Sequence, residues 1–350
     1  MTKFYFIQMF AEANVQTTGV NVAGVVSGAL SPTMKEYYDT ELLKNARADL
    51  RFNQFAKHQP VPKKNGRKAE WRKFDAFPAV TTPLTEGVTP DGRNLSMTTK
   101  EAVINQYGDY VTVSDMLDLT AVDPVILSCT EELAAQAALT LDTLTRNTLG
   151  SAEGGDINIS FAPIVAADGT ETEVKSRASI TANAKLTPSF INKLVTKLKK
   201  ANTPRIDGKY VMIVHPSCAE DLRESAAWIE VHKYAATTEI FNGEIGELHG
   251  VRFVESTNVE VIKGGASNAA VYLNYIFGKD AYAVTDLEGA GLEMIVKPLG
   301  SAGSADPLNQ RQTVAWKAAH GAAIIYPERI IRVECGSSYS ATENANTSRT

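Results

Sequence analysis

The chain has 350 residues, 44% apolar and 21% charged, a composition that fills a buried core and excludes a disordered or collagen-like polymer. Lys and Arg number 35 against 40 Asp and Glu, a net charge of −5, which speaks against a protein that wraps duplex DNA through its surface charge. Cys129, Cys218 and Cys335 are too few for a disulfide scaffold and have no zinc-ligand spacing, and no run of about 18 apolar residues offers a membrane-spanning helix.

In chain order, Lys3 and the apolar Phe4 to Phe10 mimic a secretion signal. The stretch is short, carries Gln8 and follows a single positive charge, so we read it as part of an N-terminal arm. From Met34 to Phe55 the spacing of Tyr38, Leu42, Ala46 and Leu50 predicts a helix. An arm so poor in core needs another surface to lie on. Ala69 to Phe74 reads as a strand with charge on both faces, and a return strand is predicted over about 102–113. Pro, Thr and Gly fill the segment between them. A two-stranded hairpin of this length is marginal alone in water; it must reach out and rest on something else.

Asp123-Pro124 opens a helix of about 25 residues that Gly150 closes, about twice the usual length. Residues 151–186 read as loop and short strands. Thr187-Pro188 starts a second helix, with Ile191, Leu194, Val195 and Leu198 as its apolar stripe. Tyr210–Val214 is a continuous apolar run, as in a strand covered on both faces. A helix from Pro216 and strands near 251–255, 270–277 and 292–297 follow. The alternation at Val314–Ala318 and Ile330–Cys335, across Pro327-Glu328, predicts a terminal β-hairpin, and Gly336–Thr350 reads as a loose tail.

Catalytic signatures are missing. The sequence holds no G-x-x-x-x-G-K-[ST] loop, G-x-S-x-G elbow, H-E-x-x-H or C-x-x-C. His215 and Cys218 read as a buried strand end, and Asp115, Asp118 and Asp123 as turn and cap residues. We therefore expect no enzyme, no cofactor and no metal. The charge layout is the positive signal. Between Lys44 and Lys73 ten basic residues face two acids; between Glu101 and Asp156 ten acids face one base. Opposed blocks on separate elements attract, within one chain or between copies, and set register and association rate.

Specific blocks carry a family resemblance: Arg51-Phe52-Asn53-Gln54-Phe55-Ala56, Thr81-Thr82-Pro83-Leu84-Thr85-Glu86-Gly87-Val88-Thr89-Pro90, Asn105-Gln106-Tyr107-Gly108-Asp109-Tyr110-Val111, Thr140-Leu141-Asp142 with Thr145-Arg146-Asn147, and Gln310-Arg311-Gln312-Thr313-Val314-Ala315-Trp316-Lys317. Over about residues 35–335 the chain resembles the N4-gp56-type major capsid proteins of tailed phages, which have the HK97-like capsid fold. The resemblance implies an α+β chain with an N-terminal arm (1–55), an extended β-hairpin loop (56–115), a peripheral domain (116–208 with 309–338) holding a long spine helix (123–149), an axial domain (209–308) and a C-terminal tail (339–350). It implies a homo-oligomer of pentamers and hexamers in an icosahedral shell. The shell would enclose double-stranded DNA without sequence-specific binding and without a membrane, would have portal, scaffolding or decoration proteins as partners, and would assemble in the host bacterial cytoplasm. The inter-subunit contact expected from the charge blocks sets Arg51, Lys63, Lys64, Arg67 and Arg72 of one copy against Glu131, Glu132 and Asp142 of the next. An encapsulin-like compartment of the same fold, or an enzyme with an unfamiliar site, are the alternatives.

Overall fold

The computed structural model describes residues 15–16, 51–64, 66–74, 77–84, 86–89, 91–121, 124–152, 155–166, 168–225, 228, 244–289 and 291–346. Most of the helix expected over 34–55 lies outside the described residues; Asn53–Phe55 form a single 3-10 turn. Strands β1 (Val15–Gln16), β2 (Lys57–Val61), β3 (Lys68–Phe74), β4 (Met97–Val103) and β5 (Asn105–Ser114) precede helices α1 (Asp115–Thr120) and α2 (Val125–Gly150). Next come β6 (Asn158–Phe161), β7 (Ile164–Val165), β8 (Glu171–Thr172), helix α3 (Pro188–Lys200), β9 (Tyr210–Val214) and helix α4 (Pro216–Arg223). The chain continues through β10 (Glu244–Leu248), β11 (Val251–Glu255), β12 (Glu260–Lys263), β13 (Ala270–Phe277), β14 (Tyr282–Leu287), β15 (Glu293–Lys297), β16 (Arg311–His320), β17 (Ala322–Ile324) and β18 (Ile330–Cys335).

Helix starts follow local chemistry. Ser114 Oγ accepts from the Leu117 N–H at 3.3 Å to cap α1, and Thr187 Oγ1 accepts from Phe190 N–H at 3.2 Å to cap α3. In both, a side-chain oxygen satisfies a donor that has no partner inside the helix. Pro188 and Pro216 sit in the first turns of α3 and α4, where a missing N–H costs nothing.

The described chain forms two compact units. One takes β1 with residues 106–140 and 289–319. Its sheet has the order β1-β5-β16-β15, and α1 and the start of α2 close a small core of Val113, Leu117 and Val125. The buried Trp316 donates its Nε1–H to Gln136 Oε1 at 3.1 Å, and Gln136 Nε2 donates to Asp109 Oδ2 at 2.8 Å.

The other unit takes residues 51–105, 141–288 and 320–346. Its sheet runs β10-β11-β9-β13-β18-β6, with β12 also paired to β13. Alternation along β9 and β13 separates two cores. Tyr210, Met212, Val214, Tyr272 and Ile276 pack with Leu194, Leu198 and Leu222 from α3 and α4. Val211, Ile213, Leu273, Tyr275 and Phe277 pack with Phe52, Leu149 and Ile157. Covering on both faces is why β9 carries no polar residue.

Three expectations change. The return strand is two strands: Ile104 separates β4, paired with β3, from β5 in the four-stranded sheet. The terminal hairpin is not one, because β16 pairs with β15 whereas β18 pairs with β13 and β6; nine residues, β17 among them, intervene, enough chain to change sheets. The tail is pinned as far as Asn346, whose Nδ2 donates to Val259 O at 2.9 Å and whose Oδ1 accepts from Val261 N at 2.7 Å. The seven-stranded sheet also draws β6 and β18 in beside β9 and β13, so the boundaries expected at 208/209 and 308/309 cut through one hydrogen-bonded layer.

Candidate functional site

The antiparallel pair β3–β4 runs in register from Lys68 opposite Val103 to Phe74 opposite Met97. Its root is held. Ala69, Trp71 and Ala102 are buried, Lys73 Nζ lies 2.6 Å from Glu328 Oε1, and Lys100 Nζ lies 3.3 Å from Asp156 Oδ1. Beyond the root every described residue from 77 to 99 is exposed. Phe74, Phe77, Val80, Leu84, Val88, Leu95 and Met97 are each between 48% and 75% exposed. Burying a large apolar side chain is worth about 1.5–3 kcal/mol, so this limb offers on the order of 10 kcal/mol to a surface that covers it. So many large apolar side chains left exposed along one limb point to an interaction surface. Sequence reasoning missed these side chains, treating the tip as Pro/Thr/Gly filler; the four-residue spacing of Val80, Leu84 and Val88 was the available signal.

A buried polar network anchors the segment that leads into this limb. The Asp142 carboxylate on α2 accepts from Asn53 N–H at 3.0 Å and from Asn258 Nδ2 at 2.9 Å. Asn258 Oδ1 accepts from Arg146 Nη1 at 3.0 Å, so one amide bridges the acid and the base. Thr145 Oγ1 donates to Asn53 Oδ1 at 2.5 Å and lies 3.1 Å from His320 Nε2. Burial raises the Asp142 carboxyl above the usual carboxylate range, opposed by the Asn258 amide and by the backbone N–H groups of Asn53, Phe52 and Arg51.

These contacts correct one expected contact residue. Asp142 is fully buried and its oxygens are engaged inside the chain, so it offers nothing to a neighbour; a helix position read as a surface acid faces inward because backbone donors at 51–53 converge on it. The remaining expected residues stand nearer solvent. Lys63 and Lys64 are exposed in the turn after β2. Arg67 is exposed, donating Nη2 to Asn105 Oδ1 at 2.7 Å. Arg72 on β3 and Glu131 and Glu132 on α2 are exposed, and Arg51 is half-buried. The acid block is also partly consumed locally, since Lys68 Nζ lies 2.7 Å from Glu101 Oε2.

Among the described residues no group of three or more His, Cys, Asp or Glu is placed to hold a metal, and no helix is long and apolar enough to cross a membrane.

A family model described as "Phage capsid protein" matches residues 97–333, about two-thirds of the chain. A search of curated proteins finds no match. The fold is similar to solved structures at low identity. The capsid of Ralstonia phage GP4 shares 14% identity at TM-score 0.65, covering 94% of this chain and 100% of that one. The capsid of cyanophage P-SCSP1u shares 14% at TM-score 0.65, covering 91% and 97%. The SrpI encapsulin of Synechococcus elongatus PCC 7942 shares 10% at TM-score 0.51, covering 85% and 89%. The fold is HK97-like. The chain therefore belongs to the phage capsid protein family: it is a major capsid protein, a structural subunit of a bacteriophage shell and not an enzyme.

Proposed function

We propose that this chain is an N4-gp56-type capsid protein that closes, as pentamers and hexamers, into an icosahedral shell around double-stranded DNA, assembling in the host bacterial cytoplasm. A portal and scaffolding or decoration proteins are its proposed partners. In this reading residues 1–55 act as the arm, 56–115 as the extended loop and α2, the helix expected over 123–149, as the spine. Residues 116–208 with 309–338 take the peripheral role and 209–308 the axial role, with β6 and β18 joining the axial strands in one sheet. The supporting observation is the limb at 77–99, exposed along its described length and studded with apolar side chains that its own chain leaves bare. Such surface is retained where a neighbour covers it.

The basic root steers that docking in the proposed assembly: Arg51, Lys63, Lys64, Arg67 and Arg72 approach Glu131 and Glu132 of the next copy. Binding energy spread over many weak contacts per subunit makes the closed shell far tighter than any single pair.

Electron microscopy of the purified chain tests the reading, with closed shells or ring-shaped capsomers expected. Replacing 77–96 by an Asn-Gly turn between β3 and β4 should leave the melting temperature of the unassembled chain within a few degrees. Particle formation should fall at least tenfold, the loss of about 1.4 kcal/mol or more of contact. A truncated chain that still yields normal particles would remove the loop from assembly.

A further inference from the structure

Two of the three cysteines meet in the core of the larger unit. Cys218 on α4 and Cys335 at the end of β18 are 117 residues apart in the chain, yet their Sγ atoms are 3.3 Å apart. Both are fully buried, and both are free thiols. Asn274 of β13 donates its Nδ2–H to Cys335 Sγ at 3.0 Å, which fixes that sulfur opposite Cys218. Joining them requires the sulfurs to close from 3.3 Å to the disulfide length of about 2.05 Å, an approach of a little more than about 1 Å.

We propose that Cys218 and Cys335 form a redox site, oxidised by a peroxide to an intrachain disulfide that ties α4 to β18. One thiol, as its thiolate, attacks the peroxide O–O bond; hydrogen peroxide then yields a sulfenic acid and one water. The second sulfur attacks the sulfenic sulfur, forms the S–S bond and expels hydroxide, which takes the remaining thiol proton and leaves as a second water. The two thiols together lose two electrons and two protons, and the peroxide is reduced to two waters. The inference goes beyond shell building and does not depend on it.

Access is gated by the segment 336–346. Ser337 Oγ donates to Ser217 O at 2.8 Å, Ser338 N–H donates to Asp221 Oδ2 at 3.0 Å, and Tyr272 OH donates to Glu343 Oε2 at 2.6 Å. Ala270 N–H donates to Ala341 O at 2.9 Å. Burial holds the Cys335 thiol well above its ordinary range, so the closed fold carries little thiolate and reacts slowly. Local opening of the polar strap admits peroxide, and the neighbouring sulfur captures the sulfenic acid before further oxidation. Such a bond stays reduced in a glutathione-buffered compartment and forms in an oxidising one.

The full chain is treated with hydrogen peroxide, its remaining thiols are alkylated after unfolding, and it is digested without reductant. The expected result is a mass loss of about 2 Da, for two hydrogens, and a peptide linking 218 to 335. Cys129 stays alkylated, and dithiothreitol reverses the link. Both thiols remaining alkylatable, or a link from either to Cys129 or to another chain, would overturn the site. The same chain should melt about 5 °C higher when oxidised than after dithiothreitol, a comparison that needs no variant; equal melting of linked and reduced chains would overturn the tie. Ser338→Ala, which removes the bond its Oγ–H donates to Asp221 Oδ1 and leaves the backbone N–H contact in place, should speed bond formation about fivefold, and an unchanged rate would overturn the gate.

Discussion

His320 is nearly buried, and its Nε2 meets Thr145 Oγ1 at 3.1 Å. Burial lowers its pKa to about 4; the Asp286 carboxylate opposes the fall and His58 adds to it. An unfolded histidine takes up its proton near 6.5 (about that value in peptides). Between about 6.5 and about 4 the unfolded chain therefore binds more protons, and stability falls as pH drops through that window. The gap corresponds to about 3 kcal/mol at its acid end. His320→Gln should flatten this limb: urea melts at pH 7 and pH 4.5 should differ by about 2.5 kcal/mol less in the variant. An undiminished difference would assign the acid sensitivity elsewhere. Asp142 works with the opposite sign, because burial raises its carboxyl and its contribution shrinks as pH climbs above the ordinary carboxylate range. Asp142→Ala should cost about 3 kcal/mol, since it strands the Asn53 N–H and the Asn258 amide without an acceptor; denaturant melts at pH 7 measure it, and a cost under about 1 kcal/mol would mean that water replaces the acceptor.

At the scale of elements, β5 and β16 pack with no room at Gly108. A Cβ there would lie 2.6 Å from Trp316 O and 3.4 Å from Lys317 Cα, both backbone atoms that yield only if the strand shifts. Gly108→Ala should destabilise by about 2 kcal/mol, read as a lower melting temperature; an unchanged melt would show that the pair separates freely. The N-Q-Y-G-D-Y-V block was recognisable by resemblance, but the reason for its glycine is a contact with a strand some 200 residues away, which no local pattern contains. The same limit explains the other misreadings. Alternation revealed β16 and β18 as strands, but alternation names a face and not a partner, so two strands of different sheets read as one hairpin. The β9 run was legible because covering on both faces writes itself into composition. Helix α3 was legible because Thr187, Pro188 and its apolar stripe all agree. The strap at 336–346 looked loose because Ser and Asn contacts with distant backbone leave no periodic trace, and Asp142 looked exposed because its donors lie on another segment.

For the whole molecule, a net charge of −5 conceals opposed blocks, and the structure narrows which charges a neighbour can meet. Glu101 is held by Lys68, Asp156 by Lys100, and Asp142 lies inside. Glu131 and Glu132 are exposed on α2, and in the proposed contact they face Lys63, Lys64 and Arg72 of another copy. Reversing both, Glu131→Lys with Glu132→Lys, should leave the unassembled chain's melting within about 0.5 kcal/mol of wild type, as for most exposed substitutions. Particle yield should fall severalfold near 50 mM salt and recover in part near 0.5 M, because repulsion between like charges is screened beyond about 4–5 Å there. Introducing Lys63→Glu and Lys64→Glu alongside should restore yield at low salt if these residues face each other across the contact. Equal yields and equal salt tolerance in all three proteins would separate the charge blocks from assembly and shift its weight to the other contacts, the apolar limb at 77–99 among them.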